Sequence, residues 1–448
     1  MLLRPPSARR SSCSPRTTVS ACHGVDQRAV SSLPGATRMR QQLPWIAAVI
    51  GGMTAAMHLW KVPPFVPLLR DEFGASLTDA GLLIGIMQLA GVIGGLFFGI
   101  LIESLGVRRA MVIGLVALTA ASVAGAFVGD FGWLLAMRAL ESFGYMLTIV
   151  SAPALVRRVA SPERLTTAMG WWATYMGVSS GLTLAAAALF AGTISRQMWW
   201  LGTSAVSALA VVFILLVVPA DPKAAERRRP REVLASLGRT ITVPAPWFVA
   251  LTFMSYSLSW VAVIGFLPTV YDAVGIGART AGLLTALASA VNMIGAFSGA
   301  LLMRTKLGPR GVVWIGAAAM GIGSWLVFGS GAPFIVTYLA VLAFSALGGL
   351  IPSVLTRLAV DSAPPGGSVP VALGLVQQLT NIGQFIGPVL VGILVDVRGN
   401  WGSTWWVNVA GAVLGSMLIV FATSQRFGVR WQQPDAPGAS VTHAAPSK

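Results

Sequence analysis

Charge is scarce in this chain. Asp, Glu, Lys and Arg make up 10% of 448 residues, where a soluble domain carries about a quarter. An ordinary water-facing surface is therefore excluded over most of the polypeptide. Cysteine is nearly absent: only Cys13 and Cys22 occur, both within the first 38 residues, so disulfides contribute nothing beyond that segment. Three histidines, His23, His58 and His443, are too few and too scattered for a metal-ligand cluster. No nucleophile motif accompanies His58, so hydrolytic chemistry is not expected, nor is any metal or other cofactor.

What the chain has instead is apolar length. Hydrophobic residues make up 55%, and residues 80–102, 110–129, 165–195, 197–220, 280–303 and 311–356 carry no charge at all. A helix needs about 20 apolar residues to cross the hydrocarbon. Punctuation by Gly, Pro and charge sets spans near 44–66, 79–102, 109–129, 131–156, 165–192, 198–219, 246–270, 280–303, 311–329, 333–356, 369–395 and 402–423. The runs lack strict alternation and are too long for barrel strands. The expectation is an all-α polytopic membrane protein of twelve transmembrane helices in two six-helix pseudo-repeats. The bundles cover 44–220 and 246–425, a cytoplasmic linker covers 221–245, and disordered tails cover 1–43 and 426–448.

With the N-terminus inside, 25 of the 31 Lys and Arg fall in inner segments, and only Arg70, Arg196, Arg279 and Arg398 fall in outer loops. By the positive-inside rule both termini are cytoplasmic, in a cell inner (plasma) membrane. The net charge of +16 then records topology. A nucleic-acid partner is not expected, because the basic residues are scattered over membrane-facing loops. The first 38 residues are rich in Arg and Ser and lack a secretory apolar core. Met39, directly ahead of the first span, is the expected physiological start, with an organelle transit peptide as the alternative.

The halves repeat. Residues 65–83, FVPLLRDEFGASLTDAGLL, align without a gap to 266–284, FLPTVYDAVGIGARTAGLL, at an offset of 201. Phe65, Pro67, Asp71, Gly74, Ala80 and Gly81 meet Phe266, Pro268, Asp272, Gly275, Ala281 and Gly282. In an apolar chain such a repeat signals a transporter, since it lets one half rock against the other around a central site.

Between spans 2 and 3 lies Gly99-Ile-Leu-Ile-Glu103-Ser-Leu-Gly106-Val-Arg108-Arg109. This resembles the signature loop of the major facilitator superfamily (MFS). The resemblance covers essentially residues 40–425, and Arg138-Ala-Leu-Glu141-Ser-Phe-Gly144 in span 4 is similar to the family's second motif. It implies a gating loop of Gly99, Glu103, Gly106, Arg108 and Arg109, in which Glu103 latches onto the other half near the start of span 11. Gly99 would allow close helix approach, and Gly106 would make the tight turn. Glu stands where the family usually has Asp, and the second-half loop, 299–308, has no acid. The first span and span 5 look similar to the cyanate-permease-like branch.

Ionisable residues inside spans point to function, because at mid-bilayer each costs on the order of 3 kcal/mol. Four qualify: His58, Lys61, Arg138 and Glu141. Arg138 and Glu141 share a helix face and can form a self-contained ion pair or take a proton or substrate role. Lys61, about 25 Å into its helix, either snorkels to the outer interface or faces the cavity with His58. Span 11 carries a polar stripe, Gln377, Asn381 and Gln384, which reads as ligand contact or as interhelical glue. The resemblance makes Tyr256 and Trp260 of span 7 cavity walls. Trp199, Trp200, Trp405 and Trp406 read as interfacial anchors.

The expected function is secondary active transport of a small anionic solute by alternating access, coupled to protons. His58, Lys61, Arg138, Tyr256, Trp260, Gln377, Asn381 and Gln384 would bind substrate, and Glu141 and His58 would couple protons. The expected partners are the solute, protons and the lipid bilayer, around a monomer. The alternatives are efflux of amphipathic drugs and a non-transporting membrane sensor.

Overall fold

A computed structural model describes residues 34–221, 237–364 and 369–424. The expected tails and most of the linker thus fall largely outside the described residues, whereas Met39 lies within them, in the helix Pro34–Trp60. Residues before Leu43 form a separate unit, described from Pro34 onward as helix. Leu43–Lys448 form one compact unit.

Among the described residues this unit is built of helices, eleven of them long and apolar enough to cross a membrane. In chain order, spans 1 to 4 are Gln42–Phe73, Leu77–Gly95, Val107–Ala126 and Phe131–Val159, and span 6 is Arg196–Val217. Spans 7 to 12 are Pro244–Ala273, Ala278–Gly299, Gly308–Phe328, Phe334–Asp361, Val371–Arg398 and Trp401–Ala422. The fifth span is broken at Thr174 into Pro162–Ala173 and Tyr175–Leu189, so neither piece reaches full length. Counting it as one crossing gives the twelve expected.

Local chemistry sets the ends. Ser76 begins span 2 with a capping box: its hydroxyl accepts from Asp79 N, and the Asp79 carboxylate accepts from Ser76 N. Asp130 and Ser195 cap spans 4 and 6 by accepting from Trp133 N and Met198 N. Pro63 and Pro64 tighten span 1 into a 3-10 turn at Pro63–Phe65. Span 2 is interrupted by a 3-10 segment, Ile86–Gln88, and kinks at Gly94.

The repeated residues do equivalent work. Gly74 and Gly275 both close their helices with left-handed φ, 65° and 81°. Gly81 lies on the Pro388 backbone, so span 2 packs on span 11, while Gly282 lies on Ala188, so span 8 packs on span 5. These two pairs carry the contact between the halves. It runs along span 2 from Gly95 and Gly91, against Gln378 and Asn381, to the end that the charge bias places outside. There Gly392 lies on Leu77 and Gly85 on Phe385, and Trp60 meets Trp260 edge to face at 5.4 Å. Near the opposite ends of spans 2 and 5, Gly99 and Gly170 face open space.

Candidate functional site

Spans 1, 3, 4 and 6 bring four ionisable side chains into one wholly buried cluster. His58, Lys61, Arg138 and Glu141 are all 0% exposed. Lys61 Nζ donates to Glu141 Oε1 at 2.6 Å and to Ser122 Oγ at 2.8 Å, and lies 3.4 Å from His58 Nδ1. An ammonium has three protons, so Lys61 is fully satisfied. Ser207 gives its proton to Thr203 O, and its oxygen therefore accepts from His58 Nε2 at 2.5 Å. His58 Nδ1 is then the acceptor for Lys61, which makes the ring neutral.

Arg138 is less well provided for. Its Nη1 donates to Glu141 Oε2 at 2.6 Å and to the His58 carbonyl at 2.7 Å. Its Nε and Nη2 have no partner among the described residues. With His58 neutral, two cations share one carboxylate, and the cluster carries one excess positive charge. Such a charge survives burial only when it is held by geometry and hydrogen bonds. Part of that support comes from Trp200, whose ring lies 5.0 Å from Lys61 Nζ. Trp199 Nε1 donates to the Lys61 carbonyl at 3.0 Å.

Several expectations need correction. Of the two courses left open for Lys61 the snorkel is not taken: it turns into the bundle, wholly buried, and meets Glu141, because an ion pair in a dry interior outweighs a long reach to the interface. Trp199 and Trp200 are buried against span 1 rather than anchoring the membrane surface, whereas Trp406 is 47% exposed. Gly99 makes no close approach. Gly106 does make the turn, with φ 92°. The side chain of Glu103 lies outside the described residues, and with it the latch expected near the start of span 11.

Two other carboxylates hold helix ends. Asp221 accepts from Arg108 N and Arg109 N at 3.0 and 2.9 Å, capping span 3, and it pairs with Arg158. Arg108 and Arg109 thus act through their backbone, while the Arg108 guanidinium reaches Leu215 O at 2.9 Å. Asp396, near the end of span 11, accepts from Leu77 N, Thr78 N and Thr78 Oγ1 at 3.1, 2.7 and 2.5 Å. It joins the two halves. Neither acid stands out in the sequence, because each caps a helix remote in the chain.

The polar groups of the second half are neutral. Gln377 Nε2 donates to Asn381 Oδ1 at 3.0 Å, Asn381 lies 3.5 Å from Met146 Sδ of span 4, and Gln384 is half-buried. Gln378 crosses to the Val92 carbonyl at 3.1 Å. The stripe therefore serves in part as interhelical glue. Tyr256 accepts from Asn292 at 3.2 Å, and Trp260 donates to Ser345 Oγ at 3.2 Å.

A sequence model described as Major Facilitator Superfamily matches residues 45–309 and again 249–445. The chain belongs to this superfamily. The two matches overlap and begin 204 residues apart, close to the offset of the internal repeat. Among curated MFS relatives, the chain is 27% identical to Monocarboxylate transporter 11 of Homo sapiens over 385 residues, 79% of this chain and 77% of that one. It is 25% identical to the human facilitated glucose transporter member 10 over 180 residues, 40% and 33% of the two chains. The fold is similar to a bacterial homolog of the human lysosomal transporter Spinster, inward-facing and occupied. That match has a TM-score of 0.70 at 14% identity, over 90% of this chain and 100% of the other. It is likewise similar to the xylose transporter XylE from E. coli in a partially occluded inward-open conformation. There the TM-score is 0.70 at 15% identity, over 86% and 98%.

Proposed function

We propose that this MFS transporter carries a small anion by alternating access, with protons moving alongside. The carrying observation is the excess positive charge of the buried cluster: Lys61 and Arg138 share the single carboxylate of Glu141. An anion arriving at Arg138 competes with Glu141 for the same guanidinium. Uptake of a proton by Glu141, with His58 Nδ1 3.8 Å away, frees Arg138 for the anion and returns the cluster to its one excess positive charge. Tyr256, Trp260, Gln377, Asn381 and Gln384 would supply the neutral side of the path.

The name of the 27% identical relative, a monocarboxylate transporter, favours organic acids among anions. The contact of the halves at the outer end, with Gly99 and Gly170 open at the other, favours an inward-facing state. In this reading the protein is a monomer in the plasma membrane with both termini cytoplasmic.

Counterflow in proteoliposomes, run with a panel of small anions at two pH values, tests the reading. We expect anion flux that rises at the lower pH. Lys61→Gln should reduce it by about tenfold or more, a loss of about 1.4 kcal/mol, in a protein that still folds. Flux of apolar drugs untouched by Lys61→Gln would instead support efflux. Specific binding without any flux would support a sensor.

A further inference from the structure

Buried polar atoms without partners are rare and call for an explanation. Among the described residues eleven side-chain atoms are in that condition, and four of them belong to two residues, Arg138 and Gln88. Both residues are 0% exposed. In Gln88 the whole amide is unpartnered, Nε2 and Oε1 alike. In Arg138 the bare atoms are Nε and Nη2. These are the two nitrogens on one edge of the guanidinium, whose N–H bonds run parallel and match the two oxygens of a planar oxyanion.

The two groups lie along the same stretch of span 4. Gln88 sits in the 3-10 break of span 2. Two residues on, Ala90 N donates to Ser142 Oγ at 3.3 Å, pinning that break one turn beyond Arg138. The Gln88 amide lies within interaction range of the Tyr145 side chain, and neither of its polar atoms meets a partner in full hydrogen-bond geometry. Residues 138–145 of span 4 cover about 10 Å of helix, the scale of a small organic acid.

We propose that the Arg138 edge and the Gln88 amide form a two-point receptor for the cargo. The Nε and Nη2 edge takes a carboxylate side-on. The amide, which both donates and accepts, takes a hydroxyl or carboxamide at the far end. The cargo class is then a short carboxylate with a second, uncharged polar group. This rests on the anion reading above and adds Gln88, a residue outside the ionic cluster.

The test is counterflow with three probes: 4-hydroxybutanoate, butanoate and nitrate. In the wild type we expect 4-hydroxybutanoate to be bound most tightly and nitrate, which offers the planar oxyanion alone, least. Gln88→Leu should raise the half-saturation concentration for 4-hydroxybutanoate about tenfold and leave that for butanoate unchanged. Because this change removes two bare buried polar atoms, its melting temperature in detergent should not fall. Arg138→Lys keeps the charge but not the parallel edge, so it should weaken both carboxylates alike. An equal effect of Gln88→Leu on both acids, or none on either, overturns the receptor while leaving the anion reading in place. Wild-type flux of none of the three overturns both.

Discussion

Lys61 donates all of its protons to fixed acceptors, while Arg138 leaves one edge bare, and Glu141 holds the two cations together. Removing that carboxylate is a sharper perturbation than removing either base. Glu141→Gln leaves two buried charges without a counterion, at a cost of about 3–5 kcal/mol. We expect a clear fall in melting temperature in detergent, with Lys61→Met in the same background recovering part of it. The four ionisable members of this cluster were legible in the sequence, since nothing else charged interrupts the apolar runs. Ser122 and Ser207 were not, because a lone serine in a helix gives no sign of whether it bonds its own backbone or a neighbour. The tryptophan pair at 199–200 misled for a related reason: proximity to a span end is shared by anchors and by residues that turn inward.

At the scale of the helices, two acids fasten ends. Burial alone would push the Asp221 carboxyl up, but the N–H groups of Arg108 and Arg109 and the Arg158 guanidinium outweigh it and hold it below the usual range. The sign follows: a depressed carboxylate stabilises above its unfolded value, near about 4, and that contribution fades as pH falls through the folded one. Asp221→Asn should therefore melt below the wild type at pH 7 and converge with it in acid. Asp396 acts at the other end, where it caps span 2 from span 11. Asp396→Asn should loosen that contact by about 0.5–2 kcal/mol, the worth of a cap. A cysteine at Ile84, which is 1% exposed and touches Gly265 of span 7, should then label faster with a thiol reagent. The capping box at Ser76 was open to a sequence reading, because its partners are three residues apart. The breaks at Thr174 and Gln88 were not, since neither carries a Pro to announce it.

For the molecule as a whole, the apolar runs and the repeat were enough to give twelve crossings in two halves, and the superfamily match and the helices agree with that. The tilt of one half on the other was illegible, because it depends on which glycines find a neighbour. Gly81 and Gly282 do, whereas Gly99 and Gly170 do not. If the halves rock, a covalent tie across the closed end must stop them. Replacing Thr78 and Asp396 by cysteine, in a chain whose own Cys13 and Cys22 are changed to serine, should give a disulfide that abolishes flux, and reductant should restore it. Flux that persists in the oxidised protein would show that spans 2 and 11 need not part.

The edge-to-face pair of Trp60 and Trp260 joins one half to the other with ring centroids 5.4 Å apart. Two indoles that close share their electronic transitions, and the sharing falls steeply with distance. The protein therefore carries a built-in optical reporter. The near-ultraviolet circular dichroism lost in Trp260→Phe should be the same band that cargo and pH switch on and off in the unmodified chain.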